Sequence, residues 1–104
     1  MASAKVQQLQ LLQQNLQALL TQKQQLQNQL VELESATREL KTTEKAYRII
    51  GKIMLATSTE GLAKDLQEKK EVAELRIQSV EKQEEKLNQM METVQKEMLK
   101  DLKR

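Results

Sequence analysis

The sequence predicts a mainly α protein, in which two long helices fold back on each other as an antiparallel coiled coil joined by a single β-hairpin. Leucine recurs every seven residues through the first forty positions, which is the spacing of a coiled-coil seam. A run of β-forming residues surrounds Gly51, and a second apolar stripe at helical spacing fills the rest of the chain. The 104 residues contain no proline, so neither helix has a strong interruption.

The first helix is predicted over residues 4–43 by two interleaved leucine series. Its polar positions between Gln7 and Gln29 are mostly glutamine, and two interpretations of this stretch stay open. It is either a soft, uncharged arm that contacts other polypeptides or a solvated helix face made of good helix formers. The d and a positions of the repeat are Leu12, Leu19, Leu26, Leu33 and Leu40, and Leu9, Leu16, Lys23, Leu30 and Thr37.

Residues 46–50 and 53–57 are predicted to be two strands of a hairpin, with Gly51-Lys52 as a two-residue type II′ turn. Both faces of this hairpin are largely apolar. Because a lone two-stranded hairpin is marginal in water and leaves its edges open, we expect it to pair with hairpins of other chains. The residues expected to carry this oligomerisation are Tyr47, Ile49, Ile50, Ile53, Met54 and Leu55.

The second helix is predicted over residues 59–103, with Thr57 as its N-cap and Glu60 completing a capping box. If the hairpin is the fold point, facing residues of the two helices have numbers that sum to about 103. Lys23 and Glu84 then fall in adjacent layers of an otherwise apolar seam. Two outcomes stay open: an ion pair that fixes the register, or two side chains that extend to solvent independently.

Composition argues against several classes of function. The chain has no histidine and no cysteine, and its two glycines form no phosphate-binding loop, so we expect no enzyme, no metal site and no cofactor. The net charge is +2 with bases and acids interspersed, which does not indicate nucleic acid. No apolar run reaches the length of a membrane span, so we expect no membrane partner. The absence of cysteine suits a reducing cytoplasm, where we expect the protein to act. The chain is too small to bury a sizeable core alone, so we expect one structural unit over residues 1–104.

The two ends of the chain bring a second apolar group together. Leu11, Met90 and Leu99 lie off the seam, where a strict coiled coil has no use for them. This group either grips non-native polypeptide, for which adaptable methionine is suited, or is ordinary seam with frayed ends. Its members are Val6, Leu9, Leu11, Leu12, Met90, Met91, Val94, Met98, Leu99 and Leu102.

A helix, a Tyr-basic-x-x-Gly-x-Ile-x-Leu hairpin and a second helix together resemble the β-class subunits of prefoldin, especially those of archaea. The resemblance covers essentially the whole chain. This chain has one hairpin, as β-class subunits do, whereas α-class subunits carry two hairpins. The matching stretches are Gln22-Lys23-Gln24, residues 47–55, Leu66-Gln67-Glu68-Lys69 and Lys82-Gln83-Glu84-Glu85-Lys86.

The resemblance implies a hexamer of two α-class and four β-class subunits, in which the hairpins build an intersubunit β-barrel body. It also implies that the coiled-coil tips hold unfolded polypeptides without ATP and deliver them to a group II chaperonin. In this chain the hairpin residues would serve assembly, and Val6–Leu12 with Met90–Leu102 would contact clients and chaperonin. The alternative is a homo-oligomeric coiled-coil scaffold that uses the same hairpin but has no chaperone role.

Overall fold

The computed structural model describes residues 2–103 and confirms the predicted fold class, two long helices with an antiparallel hairpin between them. The elements in chain order are α1 (Ala2–Leu40), β1 (Ala46–Ile50), β2 (Ile53–Thr57) and α2 (Thr59–Leu102). Within the described part of the chain, neither helix contains a stretch apolar enough to span a bilayer.

The described residues group into two compact units. The terminal unit joins residues 2–25 to residues 77–103, and the hairpin unit comprises residues 26–76. In the terminal unit the helices run antiparallel, as the ion pairs of Lys5 with Asp101 and of Lys23 with Glu84 show. That the whole chain is a single domain stays a prediction.

The buried helix side chains of each unit follow the seven-residue pattern. In the terminal unit Leu12, Val80 and Val94 are between 3% and 6% exposed, and in the hairpin unit Leu26 and Ala73 are 7% and 5% exposed. All five occupy seam positions of the predicted coiled coil. Burying each large aliphatic side chain stabilises the fold by about 1.5–3 kcal/mol, so this narrow seam holds each helix pair together.

Helix α1 ends at Leu40, three residues before the predicted end at position 43. The chain leaves the helix through a tightened turn, in which the amides of Lys41, Thr42 and Thr43 bond to carbonyls three residues back. The hydroxyls of Thr42 and Thr43 both donate to the carbonyl of Glu39, at 3.0 and 2.9 Å. The Glu39 carbonyl at the end of the helix therefore accepts from the Thr42 amide and from both hydroxyls.

The hairpin has the predicted turn. Gly51 has a φ of +62°, and no described non-glycine residue has a positive φ, so the second central residue, Lys52, does not share this conformation. That combination is the type II′ turn. The strands pair with Tyr47 opposite Ala56 and Ile50 opposite Ile53. The cross-strand register therefore matches the predicted one.

The N-cap of helix α2 lies one residue after the predicted N-cap, Thr57. The Ser58 hydroxyl, and not that of Thr57, accepts the amide hydrogen of Gly61 at 3.1 Å, which makes Ser58 the N-cap. Thr57 is instead the last residue of β2. The cap is close because residue 61 is glycine: a Cβ at this position would lie 2.8 Å from the Ser58 oxygen.

Candidate assembly and binding surfaces

The hairpin exposes all six apolar side chains that the sequence assigned to oligomerisation. Their exposed fractions lie between 48% and 68%, whereas the seam residues Leu26 and Ala73 of the same unit are 7% and 5% exposed. Single exposed apolar residues are normal on proteins, but six among ten strand residues are typical of an interaction surface. The six are Tyr47, Ile49, Ile50, Ile53, Met54 and Leu55.

The two faces of the hairpin are not equivalent. Ala46, Arg48 and Leu55 share one face, and its base is covered, since Ala46 is 8% exposed and Arg48 is half-buried. The opposite face, which carries Tyr47 and Ile49, stays exposed along its whole length. The sequence pattern indicated that both faces are largely apolar and did not show which of them is covered.

An ion pair ties the half-covered face to the second helix. Arg48 Nη2 of β1 donates a hydrogen bond to Asp65 Oδ2 of α2, and each side chain is 40% exposed. This hydrogen bond and the positive charge of Arg48 hold the pKa of the Asp65 carboxyl below its ordinary value, and Lys69 and Lys64 add to the effect. The pair restricts how the hairpin turns against α2 within the hairpin unit.

In the terminal unit the ten residues of the predicted binding set divide into two groups. Leu12 and Val94 are buried, and Leu9, Met91 and Met98 are half-buried; these are seam residues. The other group is exposed, with fractions from 38% to 81%. We call this exposed group the terminal apolar residues: Val6, Leu11, Met90, Leu99 and Leu102.

A charged contact lies next to the terminal apolar residues. Lys5 Nζ donates to Asp101 Oδ2 at 2.6 Å and lies 4.0 Å from Glu97 Oε2. This contact joins the start of α1 to the end of α2, two segments separated by 96 positions in sequence. Because the three side chains are substantially exposed, water screens the interaction and its contribution to stability is small.

The two polar seam residues, Lys23 and Glu84, form an ion pair, which is one of the two outcomes that the sequence left open. Lys23 Nζ lies 3.4 Å from Glu84 Oε1, and the side chains are 25% and 15% exposed. The contact lacks hydrogen-bond geometry, so the buried Glu84 Oε1 has a nearby cation but no hydrogen-bond donor among the described residues. The two side chains therefore do not extend to solvent independently.

Sequence reasoning missed one further seam residue. Lys70 occupies a position of the α2 stripe between Leu66 and Ala73, and it is half-buried, with its Nζ 4.0 Å from Glu34 Oε1. The seven-residue spacing from Ala63 and Ile77 could have revealed it. The stripe therefore contains a second charged interruption, in the hairpin unit.

Comparison with known proteins agrees with this architecture. The family described as "Prefoldin subunit" matches residues 3–104. Three proteins named "Prefoldin subunit beta" are similar in sequence. That of Archaeoglobus fulgidus is 40% identical over 95 residues, covering 88% of this chain and 82% of the relative. That of Methanosarcina acetivorans is 35% identical, covering 90% and 83%, and that of Sulfurisphaera tokodaii is 34% identical, covering 86% and 74%.

A solved structure is also similar. The crystal structure of the prefoldin beta subunit from Thermococcus strain KS-1 matches with a TM-score of 0.92 at 29% sequence identity. The match covers 99% of this chain and 93% of that one. The likeness therefore extends over both helices and the hairpin.

Proposed function

Because this chain belongs to the prefoldin subunit family, we propose that it is a chaperone subunit that holds unfolded polypeptides without ATP and delivers them to a group II chaperonin. The observation that carries this proposal is the exposure of the terminal apolar residues. They offer apolar surface that the seam does not use. On this proposal the chain is not an enzyme, needs no cofactor and acts in the cytoplasm.

Assembly through the hairpin is the first part of the proposal. No other strand among the described residues pairs with the outer edges of β1 and β2, and the apolar side chains of both strands are exposed. Pairing with hairpins of other subunits would satisfy the edges and cover the apolar residues in one step. We propose that the product is a β-barrel in a hexamer of two α-class and four β-class subunits.

Client binding is the second part. A chaperone that holds many sequences needs apolar surface that adapts, and leucine and methionine side chains provide it. Leu99 and Leu102 are 57% and 81% exposed, and Met90 is 42% exposed. Each surface is small, but several of them on one assembly would act together, because every contact after the first is intramolecular. The same end of the molecule is the proposed contact for the chaperonin.

The contact between Lys5 and Asp101 favours a second candidate, a structural scaffold without chaperone activity. It joins the two helix ends, as a scaffold with closed tips would require. Leu12 and Val94, which are buried, fit the same interpretation. A closed seam does not explain why Leu11 and Leu99 are each 57% exposed. For that reason we propose the chaperone function.

The two functions are separated by removing exposed apolar side chains in matched sets. The test variant is Leu11→Ser with Leu99→Ser, whose side chains are each 57% exposed. The control is Val31→Ser with Leu75→Ser, in the hairpin unit, where both side chains are more than 60% exposed. Client aggregation after dilution from denaturant is followed by light scattering without ATP, and particle mass is measured in parallel.

We expect both variants to assemble, the control to protect the client like the wild type, and the test variant to lose more than half of its protection. Equal protection by the test variant would reject the terminal apolar residues as the binding site. Equal loss in both variants would mean that any exposed apolar residue contributes. Transfer is measured separately, by following a fluorescent client from the assembled protein to a group II chaperonin.

A further inference from the structure

The part of α1 that belongs to the terminal unit carries very little charge. Residues 2–25 contain two charged side chains, Lys5 and Lys23, whereas the chain average of 31% would give about seven. Both lysines are in ion pairs with α2, Lys5 with Asp101 and Lys23 with Glu84. Among its described residues, the outer surface of this helix segment therefore presents amide groups and no unpaired charge.

Exposed amide side chains surround Leu11. On an α-helix, the residues three and four positions away on either side of a given residue are its neighbours on the surface. For Leu11, which is 57% exposed, these residues are all exposed and all carry a primary amide. We call them the Leu11 amides: Gln7, Gln8, Gln14 and Asn15.

The exposed apolar residues on α2 have different neighbours. At the same spacing, Leu99 has Lys96 and Lys103, and Met90 has Lys86. The surface around these side chains is therefore charged. An exposed apolar side chain enclosed by uncharged amides is a property of α1, and it is not shared by the terminal apolar residues of α2.

A primary amide is suited to the backbone of an unfolded polypeptide. Each peptide unit of such a client exposes both an N–H donor and a C=O acceptor. A carboxylate can only accept a hydrogen bond and an ammonium group can only donate one, whereas an amide side chain does both and carries no charge. Four amides around Leu11 can therefore bond to the client backbone whichever way the client chain runs. Charged groups in their place would favour clients of one sign and repel the others.

We propose that the Leu11 amides bind the backbone of the client held at Leu11, so that recognition through α1 does not depend on the charge of the client. Leu11 packs on an apolar client side chain, and the amides bond to the peptide groups on either side of it. The inference rests on the proposed chaperone function and adds the chemical group that is recognised. It also explains selection against folded proteins, because their backbone groups are already paired.

The first test introduces charge at the Leu11 amides. The variant is Gln7→Glu with Gln14→Glu, two exposed positions seven residues apart. The matched control is Gln22→Glu with Gln29→Glu, which are also exposed, lie on the same helix and have the same spacing, but are at least eleven positions from Leu11. The probes are two unstructured fluorescent peptides with identical apolar residues, in which the polar positions are all aspartate or all lysine. Binding to the full chain, assembled with an α-class subunit, is measured by fluorescence anisotropy in about 0.1 M salt.

We expect the wild type to bind the two peptides with dissociation constants within about threefold of each other. Gln7→Glu with Gln14→Glu should shift their ratio about fivefold or more in favour of the lysine peptide, and the control should shift it by about twofold or less. A wild-type preference of more than about tenfold for either peptide would overturn the inference. An equal shift in variant and control would also overturn it, since the amides near Leu11 would then have no special role.

The second test concerns the client backbone. The probe is an uncharged peptide with the same apolar residues, compared with a copy in which the backbone N–H groups are methylated. The variant Gln7→Met with Gln14→Met removes two of the Leu11 amides and keeps side chains of similar length that favour a helix. Methylation should weaken binding to the wild type about fivefold or more and binding to this variant about twofold or less. Because methylation changes the peptide equally for both proteins, equal weakening would show that the Leu11 amides do not bond to the backbone.

A third variant separates this inference from the proposed function. Leu11→Ser with Leu99→Ser removes apolar side chains and leaves the Leu11 amides in place. If it binds the unmethylated peptide like the wild type, the terminal apolar residues are not the client site, and the inference fails with them. If it loses binding while both amide variants behave like the wild type, client binding at the terminal apolar residues stands and the role of the amides is rejected. Circular dichroism and particle mass are compared for every variant.

Discussion

Replacing both members of the Lys23–Glu84 layer by leucine should leave the stability of the protein unchanged or raise it, while replacing one alone should lower it. The two charges lie 3.4 Å apart with side chains 25% and 15% exposed. The Glu84 oxygen nearest to Lys23 is buried and accepts no hydrogen bond among the described residues. The pair is thus partly desolvated but poorly hydrogen-bonded, and such pairs contribute little net stability.

The magnitude follows from this geometry. At 3.4 Å and an effective dielectric constant of about 20, the attraction is about 5 kcal/mol. Desolvation of the two ions opposes it by several kcal/mol each, so the net contribution is near zero. Lys23→Leu leaves a buried carboxylate oxygen without its cation and should cost about 1–3 kcal/mol. Glu84→Leu should cost less than about 1 kcal/mol, because the long lysine side chain can reach water.

The double variant should be neutral or more stable than the wild type by about 1 kcal/mol, at the lower end of the range for fully buried pairs. The free energy of unfolding is measured by denaturant titration at one protomer concentration, since assembly makes stability concentration-dependent. Glu92 and Lys96, which are 64% and 70% exposed, form the control pair, and their coupling should be about 0.2–0.5 kcal/mol. Additivity at Lys23 and Glu84 within about 0.5 kcal/mol would refute the reasoning, as would a larger cost for Glu84→Leu than for Lys23→Leu.

The seam and the hairpin were predictable because each depends on a local repeat. Seven-residue spacing maps directly onto one face of a helix, so the buried positions of Leu12, Leu26 and Val80 follow from counting. The two-residue turn at Gly51 leaves only one register for the strands, so every cross-strand pair follows from its position. Neither prediction depends on how one helix or strand is rotated relative to its neighbour.

The contacts that escaped prediction all depend on such rotations. Arg48 and Asp65 are 17 positions apart and lie on different elements, and heptad spacing does not say which helix residue a strand side chain reaches. The same is true of Lys5 and Asp101. A sequence pattern places a residue on a face of its own element and does not identify its partner.

Two further predictions concern the hairpin. Ile50→Asp and Ile53→Asp should each abolish the hexamer at nearly unchanged helix content, because an unpaired charge in a buried sheet contact costs several kcal/mol, roughly; a full-size particle by light scattering for both would contradict this. Asp65→Asn should reduce stability at neutral pH but not in acid. Since the folded-state pKa of Asp65 is lowered, its contribution is present above the ordinary carboxyl pKa of about 4 and is lost as pH falls through the folded value. The difference in unfolding midpoint between wild type and Asp65→Asn should therefore be largest near pH 7 and vanish at low pH. A difference that stays constant from neutral to acidic pH would mean that Asp65 acts through packing, and that its ion pair with Arg48 does not hold the hairpin against α2.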